Sequence, residues 1–178
     1  MLKIYLTDLQ SYNEGDLVGR WVNLPMDDDE LSQALSEILK DGELISGSDN
    51  HEEYFITDYE WDEFEFKTVS EYENIHTLNT SLQELEPLQE DELQSVEFLL
   101  QQSLVQTISE AIEQLDRVII YQEQTMNDIA YDFIEECYEI DKLPSIIANN
   151  INYEAIANEL MMDGTYYEYG SNIFQYTN

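Results

Sequence analysis

The sequence predicts an α+β protein built from three small units, covering residues 1–65, 66–115 and 116–178. Short runs of β-branched and aromatic residues alternate with segments whose apolar residues recur every three or four positions, which indicates both strands and helices. The middle third shows only the helical spacing. Because 43% of the residues are hydrophobic and no low-complexity linker is present, we expect packed units arranged in series.

The first unit is predicted to contain three strands and one amphipathic helix. Strands are expected over residues 4–6, 20–24 and 54–59, which are rich in aromatic, β-branched and other apolar residues. Asp27 is a candidate N-cap, with Glu30 three residues later as in a capping box. The apolar face of the following helix comprises Leu31, Ala34, Leu35, Ile38 and Leu39. Two glycines, Gly42 and Gly47, predict the loop that ends it.

The middle unit is predicted to be a small group of helices. Helices are expected over residues 72–85, 93–100 and 104–115, where apolar residues recur with helical spacing. Pro87 should end the first of them, because proline cannot continue a helix. The sequence therefore predicts a helical unit between two α+β units.

The last unit is predicted to open with a strand over Arg117–Tyr121 and to close with a β-hairpin. The hairpin strands are expected over residues 165–169 and 172–176, with Gly170 and Ser171 in the turn. Thr125 and Asp128 have the spacing of a capping box before one helix. Asn152 is expected to cap a second helix over residues 153–162.

Negative charge is the most unusual property of the chain. Forty Asp and Glu residues stand against six Lys and Arg, which gives a net charge of −34. The acids are interleaved with apolar residues and do not form a tail. In residues 51–66, seven carboxylates lie among seven aromatic or aliphatic side chains. An acidic segment without apolar residues would be expected to stay disordered. This one instead predicts a folded surface covered with carboxylates.

This charge excludes several classes of function. Direct nucleic-acid binding needs Lys and Arg for phosphate contacts, and an anionic membrane surface would repel the chain for the same reason. A basic protein partner fits. The sequence shows no signal peptide and no apolar run of roughly 20 residues. A single cysteine cannot form an internal disulfide, so we expect the cytoplasm as the compartment.

No residue pattern indicates catalysis, a cofactor or a specific metal site. With forty acids, some carboxylate pair falls at almost any spacing, so such pairs do not identify a glycosidase. No window fits the EF-hand loop. The two histidines, His51 and His76, lack a motif and are expected on the surface or in structural roles. Cys137 is expected as a small buried residue on the apolar face of its helix.

The candidate functional residues are acids that we expect to form a partner-binding surface. A helix that is merely solvated would carry lysines four residues from its acids, because ion pairs relieve like-charge repulsion. Residues 126–139 instead carry only acids opposite the apolar face. The predicted surface comprises Asp27, Asp28, Asp29, Glu52, Glu53, Asp58, Glu60, Asp62, Glu63, Glu65, Asp128, Asp132, Glu135 and Glu139.

The negative charge also fits two alternatives. Adaptation to high salt produces an acidic surface as well, although the abundance of Ile, Asn and Tyr here differs from the Asp, Ala and Val usage of halophiles. An acidic chaperone or scaffold for another basic DNA-binding protein, such as a nucleoid protein, would carry similar charge.

Four segments in order resemble the ArdA antirestriction proteins. The first comprises Ile4-Tyr5, Tyr12-Asn13-x-Gly15 and Gly19-x-Trp21-x-x-Leu24 before an acidic helix. The second is Glu53-Tyr54-Phe55-Ile56-x-Asp58-Tyr59-Glu60, and the third is Ser70-Glu71-Tyr72-Glu73-Asn74-Ile75-x-x-Leu78-Asn79. The fourth is Ile151-Asn152-Tyr153-Glu154-Ala155-Ile156-Ala157, followed by Gly164 and an aromatic tail. The similarity covers nearly the whole chain. Ala157 and Asn158 stand in a region where an arginine is common in the family.

The resemblance implies an elongated, modular homodimer that imitates bent B-form DNA. It implies a non-enzymatic inhibitor that binds in the DNA-binding groove of type I restriction–modification enzymes. Binding there would block restriction and, in some members, modification. The resemblance also implies a gene carried by mobile genetic elements such as conjugative plasmids and transposons, which protects incoming DNA.

Overall fold

A computed structural model of the chain describes residues 1–177. Strands and helices occur together along the chain, which confirms the predicted α+β class. The chain divides into two compact units, Met1–Ile112 and Glu113–Asn178. The division into three units stays a prediction.

The first unit combines a three-stranded sheet with helices. Its strands are β1 (Leu2–Asp8), β2 (Gly19–Leu24) and β3 (Tyr54–Trp61). Its helices are α1 (Leu9–Glu14), α2 (Asp28–Ser46), α3 (Ile75–Gln83) and α4 (Glu90–Gln101), and α5 (Ile108–Glu113) ends at the boundary. All three predicted strands are present.

The first sheet is antiparallel, with strand order β2-β1-β3. Alternation along β1 gives the sheet two different faces. Leu2, Ile4 and Leu6 point into the core and are fully buried, whereas Lys3 and Tyr5 point to the other face and remain partly exposed. The sheet therefore covers the core on one side and meets solvent on the other.

Helix α2 differs from its prediction at both ends. Asp27 caps it, but its Oδ1 accepts from the backbone N–H of Asp29 at 2.9 Å, so the predicted capping box with Glu30 does not form. The helix also continues through Gly42, where a loop was expected, and ends at Gly47 with a φ of +70°. Gly42 is buried within this helix.

Two helices of the predicted middle unit are shorter than expected. Helix α3 begins at Ile75, since the Asn74 side chain accepts from the N–H of Thr77 at 3.0 Å and caps the helix there. Tyr72 lies in the preceding turn. Helix α5 begins at Ile108, because the Glu110 carboxylate accepts from the N–H of Gln106 at 2.8 Å and holds the turn before the helix.

The second unit packs helices on a second antiparallel sheet. Its strands are β4 (Val118–Tyr121), β5 (Tyr166–Tyr169) and β6 (Asn172–Tyr176), in the order β4-β6-β5. Its helices are α6 (Met126–Cys137), α7 (Ser145–Ala148) and α8 (Tyr153–Met162). The core is formed by Met126, Ile129, Ala130, Ala157, Tyr166 and Ile173. The predicted strand, the two helices and the closing hairpin are all present.

The last turn of α6 lies outside this core. Met126, Ile129 and Ala130 are buried, but Cys137 is exposed, so its predicted burial is wrong. The apolar residues of α6 keep their helical spacing up to Cys137, but only the first turns of the helix pack against the core of the second unit. Glu139 also lies beyond the helix, which ends at Cys137, and so it is not on the helical stripe predicted for it.

We expect the protein to become more stable as salt is added. A net charge of −34 repels itself in the folded state, and screening over about 10 Å at 0.1 M salt relieves that repulsion. Thermal melts followed by circular dichroism between about 10 mM and 200 mM NaCl should show a rising Tm. Matched melts in glycerol at constant salt control for general cosolute effects. A flat or falling Tm would contradict the repulsion argument.

Candidate partner-binding surface

All fourteen acids predicted to bind a partner are exposed. In the first unit they lie at the start of α2, in the segment before β3, and on β3 and the residues after it. In the second unit three lie on α6 and one lies after it. Seven of the fourteen carboxylates thus lie within helices or strands, and the other seven lie in the segments that adjoin them.

Strand β3 places two of these acids on the solvent-facing side of the first sheet. Asp58 lies opposite Tyr5, and Glu60 lies opposite Lys3. Residues two apart on a strand share a face and are separated by roughly 6.6 Å along it. A bulge at Thr57, where the register with β1 shifts, brings Asp58 onto this face.

The next acid along the chain, Asp62, already has cationic partners. Its carboxylate is bonded to the N-terminal amine, and its Oδ1 lies 3.6 Å from the Lys3 Nζ. The hydrogen bond from the amine, with the nearby positive charge, lowers the pKa of Asp62. Asp62 therefore stays ionised, but part of its charge is balanced within the chain.

The acidic start of α2 is held by a buried amide. Asn79, on α3, accepts from the N–H of Met26 at 2.9 Å and donates to the Met26 carbonyl at 2.9 Å. It also donates to Asp28 Oδ1 at 3.1 Å. Because Asn79 is fully buried, this bonding fixes the turn that carries Asp27, Asp28 and Asp29.

Farther along α2, a cation balances two acids that were not predicted to bind a partner. The guanidinium of Arg20 reaches Glu37 at 2.8 Å and Asp41 at 2.5 Å. The pKa of Glu37 is lowered, first by a hydrogen bond from Gln33 and then by one from Arg20. This part of the helix is less anionic than its composition indicates.

Most of the predicted acids of the second unit take part in local contacts. Asp128 closes the predicted capping box with Thr125, whose hydroxyl and backbone N–H donate to its carboxylate and lower its pKa. Glu135 accepts from the Tyr131 hydroxyl at 2.5 Å, and this raises the pKa of Tyr131. Glu139 is paired with Lys142 at 2.5 Å.

A buried polar network in the first unit was missed by the sequence analysis. Asp8 and His51 are buried, with Asp8 Oδ1 and His51 Nδ1 2.9 Å apart. His51 Nε2 lies 3.0 Å from Ser46 Oγ and 3.1 Å from Ser48 Oγ. A Cβ on Gly42 would come within 2.8 Å of both the Asp8 carboxyl carbon and His51 Nδ1, so only glycine fits.

This network helps to position part of the anionic surface. It ties the chain segment after α2 to the end of β1, and the same segment carries Glu52 and Glu53 into β3. Asp8 and His51 are 43 residues apart in sequence, and no local pattern relates them. The glycine inside a clear amphipathic helix was the signal available, because such a glycine often marks a close approach.

These features define a class of protein: a folded α+β protein that exposes acidic residues on both of its units. A model of the family described as antirestriction protein (ArdA) matches residues 4–175. The chain therefore belongs to the ArdA antirestriction family, whose members are inhibitors of restriction enzymes. No curated protein gave a match to the sequence. No helix within residues 1–177 is long and apolar enough to cross a bilayer.

Proposed function

We propose that this protein is a DNA mimic that occupies the DNA-binding groove of a type I restriction–modification enzyme. It acts there as a homodimer and blocks restriction, and it blocks modification where methylation uses the same groove. The observation that carries the proposal is the placement of the acids. All fourteen predicted carboxylates are exposed, and they lie mainly on or beside the strands and helices of the two folded units.

The number of carboxylates is of the right order for a DNA-sized target. Duplex DNA carries one charge per about 1.7 Å of axis, so forty acids correspond to about 68 Å, or on the order of 20 base pairs per chain. This value is an upper bound, because Asp8 is buried and several acids are paired with cations. The match supports replacement of a duplex segment in a basic groove.

The proposed mechanism is competition for the same cations. Lysine and arginine side chains that would hold phosphates bind carboxylates instead, and duplex and inhibitor cannot occupy the groove together. Affinity should fall steeply as salt is raised, as it does for DNA. Since the carboxylates lie on or beside helices and strands, less conformational entropy is lost on binding than a flexible acidic tail would lose.

Binding to a purified type I methyltransferase core, with and without excess specific duplex, tests the proposal. We expect the duplex to displace the inhibitor, and raising the duplex concentration should relieve inhibition of cleavage. A single-stranded oligonucleotide of equal charge serves as the control for general screening. Simultaneous binding of both ligands would exclude mimicry and favour an acidic chaperone or scaffold.

The proposed homodimer is tested by light scattering of the purified protein, which should give about twice the chain mass of 20.9 kDa.

A further inference from the structure

The solvent-facing side of the first sheet carries aromatic and acidic side chains together. We call this side the outer face and define it by Lys3, Tyr5, Trp21, Asn23, Asp58 and Glu60. Tyr5 lies on the central strand, and its register partners are Trp21 on one side and Asp58 on the other. Trp21 is 47% exposed, unlike the buried residues of the opposite face.

The aromatic pair on this face is held in one arrangement. The rings of Tyr5 and Trp21 meet edge to face with centroids 5.4 Å apart, and the Tyr5 hydroxyl donates to the Gly19 carbonyl at 3.1 Å. A Cβ on Gly19 would clash with the Leu6 backbone oxygen, its nearest neighbour, and would come within 2.8 Å of the Tyr5 ring. Glycine at this position therefore lets the Tyr5 ring lie across β2 beside Trp21.

The charges on the outer face are unevenly distributed. Near the N-terminus, Lys3 lies beside Asp62 and balances part of the acidic charge. Asp58 is exposed next to Tyr5, and its Oδ1 accepts only a local bond from the N–H of Tyr59 at 2.9 Å. Asp58 and Trp21 thus flank Tyr5 from the two neighbouring strands. The outer face therefore combines an exposed carboxylate with aromatic rings, which suits a planar cation.

We propose that the outer face binds an arginine side chain of a basic protein surface. The guanidinium lies over Tyr5 and against Trp21 while it pairs with Asp58. Arginine fits better than lysine, because its guanidinium is planar, weakly hydrated and able to stack and hydrogen-bond at once. A second copy of this chain is a poor occupant of this face, since the chain has only two arginines and one of them, Arg20, is already paired with Glu37 and Asp41.

This inference rests on the proposed function, which identifies the partner as a restriction–modification enzyme. It adds one specific contact, between the outer face and an arginine of that enzyme. Carboxylates alone would reproduce the salt-sensitive binding of DNA. An aromatic anchor adds a contribution that salt screens weakly, and tryptophan is enriched among residues that dominate binding energy. The inhibitor would then keep part of its affinity at salt concentrations that release DNA.

A peptide titration tests the outer face without the restriction enzyme. The probes are a tetra-arginine and a tetra-lysine peptide of equal charge, added at about 0.15 M salt to the full-length protein labelled with ¹⁵N. We expect the indole N–H resonance of Trp21 to shift, with arginine binding about threefold or more tighter than lysine. Trp61, whose indole N–H donates to the Lys67 carbonyl at 3.0 Å, is the internal control.

Variants then distinguish the arginine contact at the outer face from nonspecific attraction to the acidic surface. Asp58→Asn should remove most of the preference for arginine, whereas Leu44→Ala, at an 80% exposed position on α2, should not. Against the methyltransferase core, Trp21→Ala should bind about tenfold more weakly with an unchanged salt slope, and Trp21→Phe should recover most of the loss.

Several outcomes would overturn the inference. Equal affinity for the two peptides, or equal shifts of both indole resonances, would show only general electrostatic attraction. A change in oligomeric mass on Trp21→Ala would show that the outer face is a contact between copies of this chain. Failure of duplex to displace the wild-type protein would instead contradict the proposed function, while the peptide titration would still decide the arginine site.

Discussion

Neutralising three acids on α6 together should weaken binding to a type I methyltransferase core by roughly 10- to 100-fold. The changes are Asp132→Asn, Glu135→Gln and Glu136→Gln, all at exposed positions of one helix. Each exposed charge contributes about 0–1 kcal/mol, so the three add to a measurable loss while any one changes little. The slope of log affinity against log salt should become shallower by roughly two to three.

The choice of these three acids follows from the contacts in the second unit. Asp128 is left intact, since its carboxylate accepts from the N–H of the N-cap residue Thr125 and closes the capping box of α6. Glu139 is left intact because it is paired with Lys142. Asp132, Glu135 and Glu136 can be changed without removing a helix cap or an ion pair. The Glu135→Gln change alters only the hydrogen bond that this side chain accepts from the Tyr131 hydroxyl.

A variant with the same net charge provides the control. Glu154→Gln, Glu159→Gln and Asp163→Asn change three exposed acids in or just after α8 of the same unit. If the acids of α6 contact the partner, the control should weaken binding less than the α6 variant does. Equal losses would mean that net charge, and not the α6 surface, determines affinity. Loss of all binding from Asp132→Asn alone, with the fold retained, would contradict the model of many weak contacts.

Gly42→Ala should destabilise the first unit by about 2–4 kcal/mol. In an exposed helix the same change stabilises by about 1 kcal/mol, because alanine has the higher helix propensity. Here the added methyl group would lie 2.8 Å from the Asp8 carboxyl carbon and from His51 Nδ1. It must displace α2 or separate a buried hydrogen-bonded pair, and both outcomes cost more than the gain in propensity.

Tryptophan fluorescence measures this effect in the first unit alone, because Trp21 and Trp61 both lie within Met1–Ile112. Urea unfolding should show a lower midpoint for Gly42→Ala. Gly47→Ala at the end of the same helix is the control. It meets no atom within 4 Å and should lose only about 1 kcal/mol, from the left-handed backbone at a φ of +70°. A midpoint for Gly42→Ala at or above wild type would mean that the buried network does not constrain α2.

Elements specified by nearby residues could be predicted from the sequence. The capping box of Thr125 and Asp128, the Asn152 cap and the closing hairpin are each encoded within a few positions, and all three are present. The wrong predictions concern features that depend on contacts between residues far apart in the sequence. Cys137 follows the hydrophobic spacing of α6 but is exposed, since the spacing does not reveal where the packed core stops.

The sequence by itself determined the α+β class, the charge of −34 and the membership of the ArdA family, since these depend on composition and on patterns within short segments. Only the tertiary structure decided which acids are balanced within the chain, such as Asp62, and which stand beside aromatic rings, such as Asp58. It also decided that Gly42 belongs to a helix packed on Asp8 and His51. These features depend on contacts between residues tens of positions apart, which local patterns do not encode.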